Sequence, residues 1–152
     1  MMLIRISDKQ WQIVTASTSE EIYQGLRGIS YIPPYTGMLF CLPYGTTHIT
    51  IDMSEMLLPI DIVFFDSNLN VIGILNHVSP YDDAVFIAEG DDRIRYFLEV
   101  NAGEAVGIKA GDTAQIEYTG TLVDTPTANF IFTLIEMMIP IMMFGMAMRA
   151  IK

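Results

Sequence analysis

The run Pro59-Ile60-Asp61-Ile62-Val63-Phe64-Phe65-Asp66 puts Ile60, Ile62 and Phe64 on one side of an extended chain and Asp61, Val63 and Phe65 on the other. Both sides call for cover, which is the pattern of a central strand. Asp66-Ser67-Asn68-Leu69-Asn70 supplies turn residues, and Val71 to Leu75 returns as the second arm of a hairpin. Shorter extended segments surround it. Leu3 to Ile6 and Trp11 to Ala16 flank the polar turn Ser7-Asp8-Lys9-Gln10, and Gly37 to Leu42 is closed by Pro43. Thr47 to Met53 alternates, and Arg95 to Val100 and Ala114 to Thr119 complete the set.

The helical signals are brief. Ser17-Thr18-Ser19-Glu20-Glu21 offers a hydroxyl cap and acids for a first turn, with Ile22, Tyr23 and Leu26 predicted to face the core and Gly25 and Gly28 to stop the helix. Its expected task is to cover one mouth or face of the sheet. A helical turn is predicted over Ala102 to Ile108, and Pro33-Pro34 makes Tyr31 to Thr36 a loop. The connection from Ser79-Pro80 to Asp91-Asp92 reads as irregular. Many short strands with two small helices predict a mainly β, mostly antiparallel compact domain over residues 1–124, followed by a linker at 125–129 and a hydrophobic segment at 130–152.

Composition changes the picture in two places. Hydrophobic residues make up 51% of the chain, and the excess over an ordinary soluble domain is concentrated at the C-terminus. A net charge of −10, with eight basic residues that form no cluster, argues against nucleic acid, because phosphate binding needs grouped Lys and Arg. Cys41, the only cysteine, excludes an internal disulfide and reads as a small buried hydrophobe. The first residues, Met1-Met2-Leu3-Ile4-Arg5-Ile6, lack the pattern of a signal peptide and start as a strand.

Five short motifs, taken together, resemble a known family. Gln24-Gly25-Leu26, Gly37-Met38-Leu39-Phe40, Pro59 to Asp66, Leu98-Glu99-Val100-Asn101-Ala102-Gly103 and Gly111-Asp112 are similar, in order and spacing, to the domain of unknown function 192 family. The resemblance covers roughly Trp11 to Tyr118. It implies a compact antiparallel β-barrel-like domain of a kind found in bacteria, archaea and phages, with no established activity. Family members usually read Phe-Trp-Met-Lys-Asn-Thr before the Pro-Leu-Asp-Ile strand, whereas this chain reads Ile51-Asp52-Met53-Ser54-Glu55-Met56, and only Met53 matches. If that stretch carries the family's ligand or activity, this member has lost or changed it.

Candidate chemistry is sparse. Asp61 lies between Ile60 and Ile62 and needs partners if buried, either loop N–H groups or Arg27. Tyr31 and Tyr35 could form a binding rim beside the Thr47 to Glu55 segment, so Tyr31, Tyr35 and Asp61 are the ligand-binding candidates. Asp82, Asp83, Glu89, Asp91 and Asp92 match no calcium loop, and His48 and His77 with one cysteine make no zinc site. Neither a catalytic constellation nor a cofactor fingerprint is present, so no cofactor and no metal are expected.

Phe130 to Met148 holds 19 residues with one charge, Glu136, enough for a helix nearly 30 Å long. Its large apolar side chains contribute about −2 to −5 kcal/mol to insertion, against about +3 for a central acid. Glu136 and Pro140 share a helical face, and Gly145 and Ala147 sit among six methionines, so Glu136, Pro140, Gly145 and Ala147 are the candidate anchoring and self-association residues. The expected partners are membrane lipid, further copies of the chain or a larger assembly such as a virus particle. The expected function is therefore a non-enzymatic structural module held by its tail. A membrane-displayed domain for a small ligand or carbohydrate is the first alternative, and a hydrolase-type enzyme the second.

Overall fold

The computed structural model describes residues 1–118, which form strands β1 (Met2–Ile6), β2 (Lys9–Ala16), β3 (Thr36–Cys41), β4 (His48–Ile51), β5 (Ile60–Phe65), β6 (Val71–Val78), β7 (Ala84–Ile87), β8 (Tyr96–Asn101) and β9 (Ala114–Tyr118), with one helix, α1 (Ser19–Gln24). Seven strands make one sheet in the order β6-β5-β8-β3-β2-β1-β9, and β4 pairs with β7 as a separate two-stranded sheet. Every pairing is antiparallel except β2 with β3, whose connection carries α1. The large sheet curls. Asn70 bridges Thr113, and the Leu69 carbonyl accepts the Ala114 N–H at 2.8 Å, so the β5–β6 turn meets the start of β9 and joins the two outer ends of the sheet. Among the described residues no helix is long and apolar enough to cross a membrane. The hydrophobic segment at 130–152 and its candidate residues lie outside the described residues.

The core divides by strand faces as the β5 pattern requires. Ile60, Ile62 and Phe64 join a cluster with Val14, Met38, Phe40, Met53 and Phe97, while Val63 and Phe65 join Ile4, Trp11, Leu39, Leu98 and Val100 on the opposite face. All six residues of β5 are buried, consistent with a strand between β6 and β8 and covered on both sides. On the first face Phe40 stacks on Phe97 at 4.3 Å between ring centroids, and Phe64 stacks on Phe86 at 4.0 Å. Phe86 brings the β4–β7 sheet down over Gly73, where an added Cβ would stand 2.2 Å from the ring.

Four expectations change. The 102–108 segment is a set of turns rather than a helical turn, with Gly103 and Gly107 in the left-handed region, because its N–H groups turn inward to Asp61 instead of along a helix axis. The connection predicted as irregular holds β7, whose outward Val85 and Ile87 are as apolar as inward Ala84 and Phe86 and so hide the alternation. The strand predicted to reach Met53 stops at Ile51, because the Asp52 carboxylate accepts the Ser54 N–H at 2.8 Å and turns the chain. Tyr23, predicted to face the core, is 70% exposed and lies under the Arg27 guanidinium.

Candidate functional site

Beneath α1 the described residues leave the first face of the sheet unfilled. A cavity of about 250 Å³ lies between α1 with its C-terminal turn, strand β4 and the adjoining faces of β3 and β8. Each wall follows from a local feature of the sequence. Thr18 caps α1 by accepting the Glu21 N–H at 3.1 Å, which sets the helix start. Gly25 ends it at φ +46°, and a Cβ there would meet the Phe40 ring at 3.3 Å, so glycine is what lets the helix end approach the sheet this closely. Ile22, Leu26, Ile49, Ile51, Met53 and Met56 supply apolar lining, and the stacked Phe40 and Phe97 rings line the sheet side.

One charged side chain lies on that sheet side. Glu99 alternates with Leu98 and Val100 along β8, so it shares the face of Phe97, flanked across the sheet by Met38 and Ile62. It is 4% exposed and lines the cavity. Among the described residues no hydrogen bond or ion pair to its carboxyl is present, and burial is the one cause acting on it. Burial pushes that carboxyl up to about 8, so it stands protonated at neutral pH. A protonated acid facing a cavity can donate one hydrogen bond and accept another, or ionise against a cation.

Arg27 closes the rim. Its guanidinium reaches Glu55 at 2.9 Å and Asp52 at 3.0 Å, its Nε donates to the Tyr23 carbonyl at 2.8 Å, and it lies 4.5 Å from the Tyr23 ring centre. The Glu55 and Asp52 contacts raise the Arg27 guanidinium further above its ordinary value. Ser54, through its hydroxyl and its N–H, and then Arg27 hold the Asp52 carboxyl low, at about 2. The Gly28 N–H donates to the Glu55 carbonyl at 3.0 Å, so the end of α1 and the 52–56 segment are tied together across the mouth of the cavity.

The residues singled out from the sequence lie elsewhere. Asp61 is fully buried on the opposite face, where its Oδ1 accepts the His77 N–H at 2.8 Å and its Oδ2 accepts those of Gly103 and Ala105 at 2.9 Å each. Of the two kinds of partner expected for it, loop N–H groups are the ones present. A register shift between Ile60 and Ile62 and a left-handed His77 aim the first of these at the carboxylate. Tyr35 is half exposed, its N–H donates to Glu104 at 2.8 Å, and its ring lies 6.2 Å from Trp11. Tyr31 is also half exposed, and none of the three lines the cavity.

Glu99 was not among the residues singled out from the sequence. The signal was a carboxylate between Leu98 and Val100, the same argument that selected Asp61. A second cavity, about 320 Å³, opens beside Tyr44, Asp66, Asp91, Asp92 and Arg95. Asp91, Asp92 and Arg93 on its rim are exposed, and the Arg95 guanidinium is already committed to the Leu42 carbonyl and the Tyr44 ring.

Two solved structures have this architecture. A protein of unknown function from Novosphingobium aromaticivorans is 27% identical, with a TM-score of 0.66 over 74% of this chain and 83% of that one. A protein from Sinorhizobium meliloti, described as a candidate transcription regulator, is 24% identical, with a TM-score of 0.66 over 76% of this chain and 93% of that one, a likeness of fold. No curated protein matches. The stretch that departs from the family's usual motif, Ile51 to Met56, supplies Ile51, Asp52, Met53 and Met56 to the cavity. A family model described as an uncharacterized ACR matches residues 2–116, and the chain belongs to that family, the domain of unknown function 192.

Proposed function

We propose that the domain is a small-ligand-binding module whose site is the cavity between α1, β4 and β8. The observation that carries this reading is Glu99, a carboxyl buried at the cavity wall with no partner of its own. Leaving an ionisable group in that position costs the fold stability without any internal interaction in return, and a bound molecule would supply one. Apolar and aromatic lining with a few polar groups, among them Gln24, Arg27, Thr50, Asp52 and Glu99, is the composition of a ligand pocket, and its volume of about 250 Å³ lies just below the usual size range.

A thermal-shift panel of small molecules against the full-length chain and its Ile51→Phe variant, which puts a larger ring into the cavity wall, tests the reading. A ligand at about 100 times its Kd raises stability by about 2.7 kcal/mol. The expected result is a shift in the natural chain that Ile51→Phe reduces. A shift that Ile51→Phe leaves unchanged places binding elsewhere and overturns the proposal.

The hydrophobic segment at 130–148 favours display of this module at a membrane or within a larger assembly, where the tail does the anchoring. Extraction of the full-length chain from its native source with and without detergent tests that part. Release in detergent alone supports a lipid anchor, a lipid-free particle supports an assembly, and a free monomer without detergent overturns both.

A further inference from the structure

We infer that the cavity takes a small organic cation, an ammonium group on an apolar body, with the Glu99 carboxylate as its counterion. The inference rests on the reading of the cavity as a ligand site and assigns the ligand's chemical class. At about 250 Å³ the space equals roughly eight water volumes, enough for a molecule of about that many non-hydrogen atoms.

Three observations converge on positive charge. First, the carboxyl lacks a counterion, and the chain's own cation at the rim is already engaged: Arg27 is shared between Asp52, Glu55 and the Tyr23 ring. Among the described residues Tyr23, Arg27 and Asp52 are the other titratable or charged groups lining the cavity, so no further cation of theirs is there to neutralise an ionised Glu99. Second, Phe40 and Phe97 border the same space, and aromatic rings attract a desolvated cation while tolerating its apolar body. Third, the charge around the opening is unfavourable to anions. Arg27 with Asp52 and Glu55 sums to one negative charge, and the whole chain carries −10, which concentrates cations near the surface and repels carboxylates and phosphates.

Binding in this form is linked to a proton. The ligand enters as R–NH₃⁺ and keeps its proton, and the Glu99 carboxyl releases its own to solvent and becomes the carboxylate that accepts the N–H bonds. Below the free carboxyl's raised value, about 8, affinity rises with pH because the proton to be displaced becomes easier to lose. Above it the affinity levels off, and it falls again once the amine itself deprotonates.

The test uses matched probes on the full-length chain: butylamine, cyclohexylamine and benzylamine, each against the corresponding alcohol, by calorimetric titration at pH 7 in two buffers of different protonation enthalpy. The expected result is tighter binding of at least one amine than of its alcohol by about tenfold or more, with release of about one proton per ligand. Glu99→Gln, nearly isosteric with the protonated acid, is expected to weaken the amine by about tenfold to a hundredfold and to leave the alcohol within a few-fold. Ile51→Phe, which leaves Glu99 untouched, is expected to weaken both. If alcohols bind as well as amines, or no proton is released, the cation assignment falls and the pocket stands. If neither series binds, or binding is indifferent to Ile51→Phe, the pocket reading falls with it.

Discussion

Replacing Glu99 by Gln should make the fold less sensitive to pH, in a window the structure defines. The carboxyl's ordinary value is 4.5 and burial raises it to about 8 in the folded chain. Between those values the native state holds a proton that the unfolded state has lost, so the stability conferred by the neutral acid is complete below 4.5. It falls as pH rises and is fully spent above 8. Each unit of pH in the window costs about 1.4 kcal/mol, and integrating from pH 5 to pH 8 gives about 3–4 kcal/mol. Glutamine occupies the same space without a titration. The stability of Glu99→Gln relative to the natural chain should therefore grow by that amount across the range, because the other titrations are common to both proteins and cancel. Urea unfolding of both full-length chains at pH 5, 6.5 and 8, analysed with a shared m-value, measures it. A difference constant within about 0.5 kcal/mol over those points would refute the claim that Glu99 is buried without a partner.

Further outcomes follow from the opposite face and from the rim. Asp61→Ala strands three N–H groups, that of Ala105 buried and those of His77 and Gly103 partly so, and should cost about 2–3 kcal/mol in urea unfolding, whereas Asp61→Asn, which keeps an accepting oxygen, should cost distinctly less. Gly37→Ala places a Cβ 2.5 Å from the Glu99 carbonyl oxygen and 2.8 Å from Val100, so a loss of about 2 kcal/mol is expected, measured by the same method. Arg27→Met removes two ion pairs whose acidic partners are more than half exposed, and should change stability by no more than about 1 kcal/mol. NMR titration of that variant should still find Asp52 below the ordinary carboxylate range, since its contacts with Ser54 are the larger cause.

Period-two alternation was enough to read the two-sided burial of β5, the β5–β6 hairpin and most of the strands, because each rests on local spacing. The parallel pairing of β2 with β3 was not legible, since it depends on where α1 carries the chain. Strand β7 was hidden for a different reason: Ala84 to Ile87 is apolar at every position, and a partner four residues long gives no periodicity to count. The 102–108 segment misled because its alanines and Glu104 suit a helix locally, while the demand of Asp61 for N–H donors arises from a strand some forty residues away. The same limit hid the site. Glu99 and Asp61 look alike in sequence, each a carboxylate inside an apolar strand. What separates them is the company each side chain finds across the sheet, three N–H groups for one and an unfilled space for the other.

That difference divides the labour of one sheet between its two faces. β8 sends Leu98 and Val100 to the side where Asp61 binds the 102–105 turns, and Phe97 and Glu99 to the side under α1. Substitutions that reshape the lining at Ile49, Ile51 or Met56 touch the second face alone, so they can retune what the cavity admits while the closure between Asn70 and Thr113 stays as it is. A domain built this way can change the shape of that cavity by point substitutions, with its frame inherited intact.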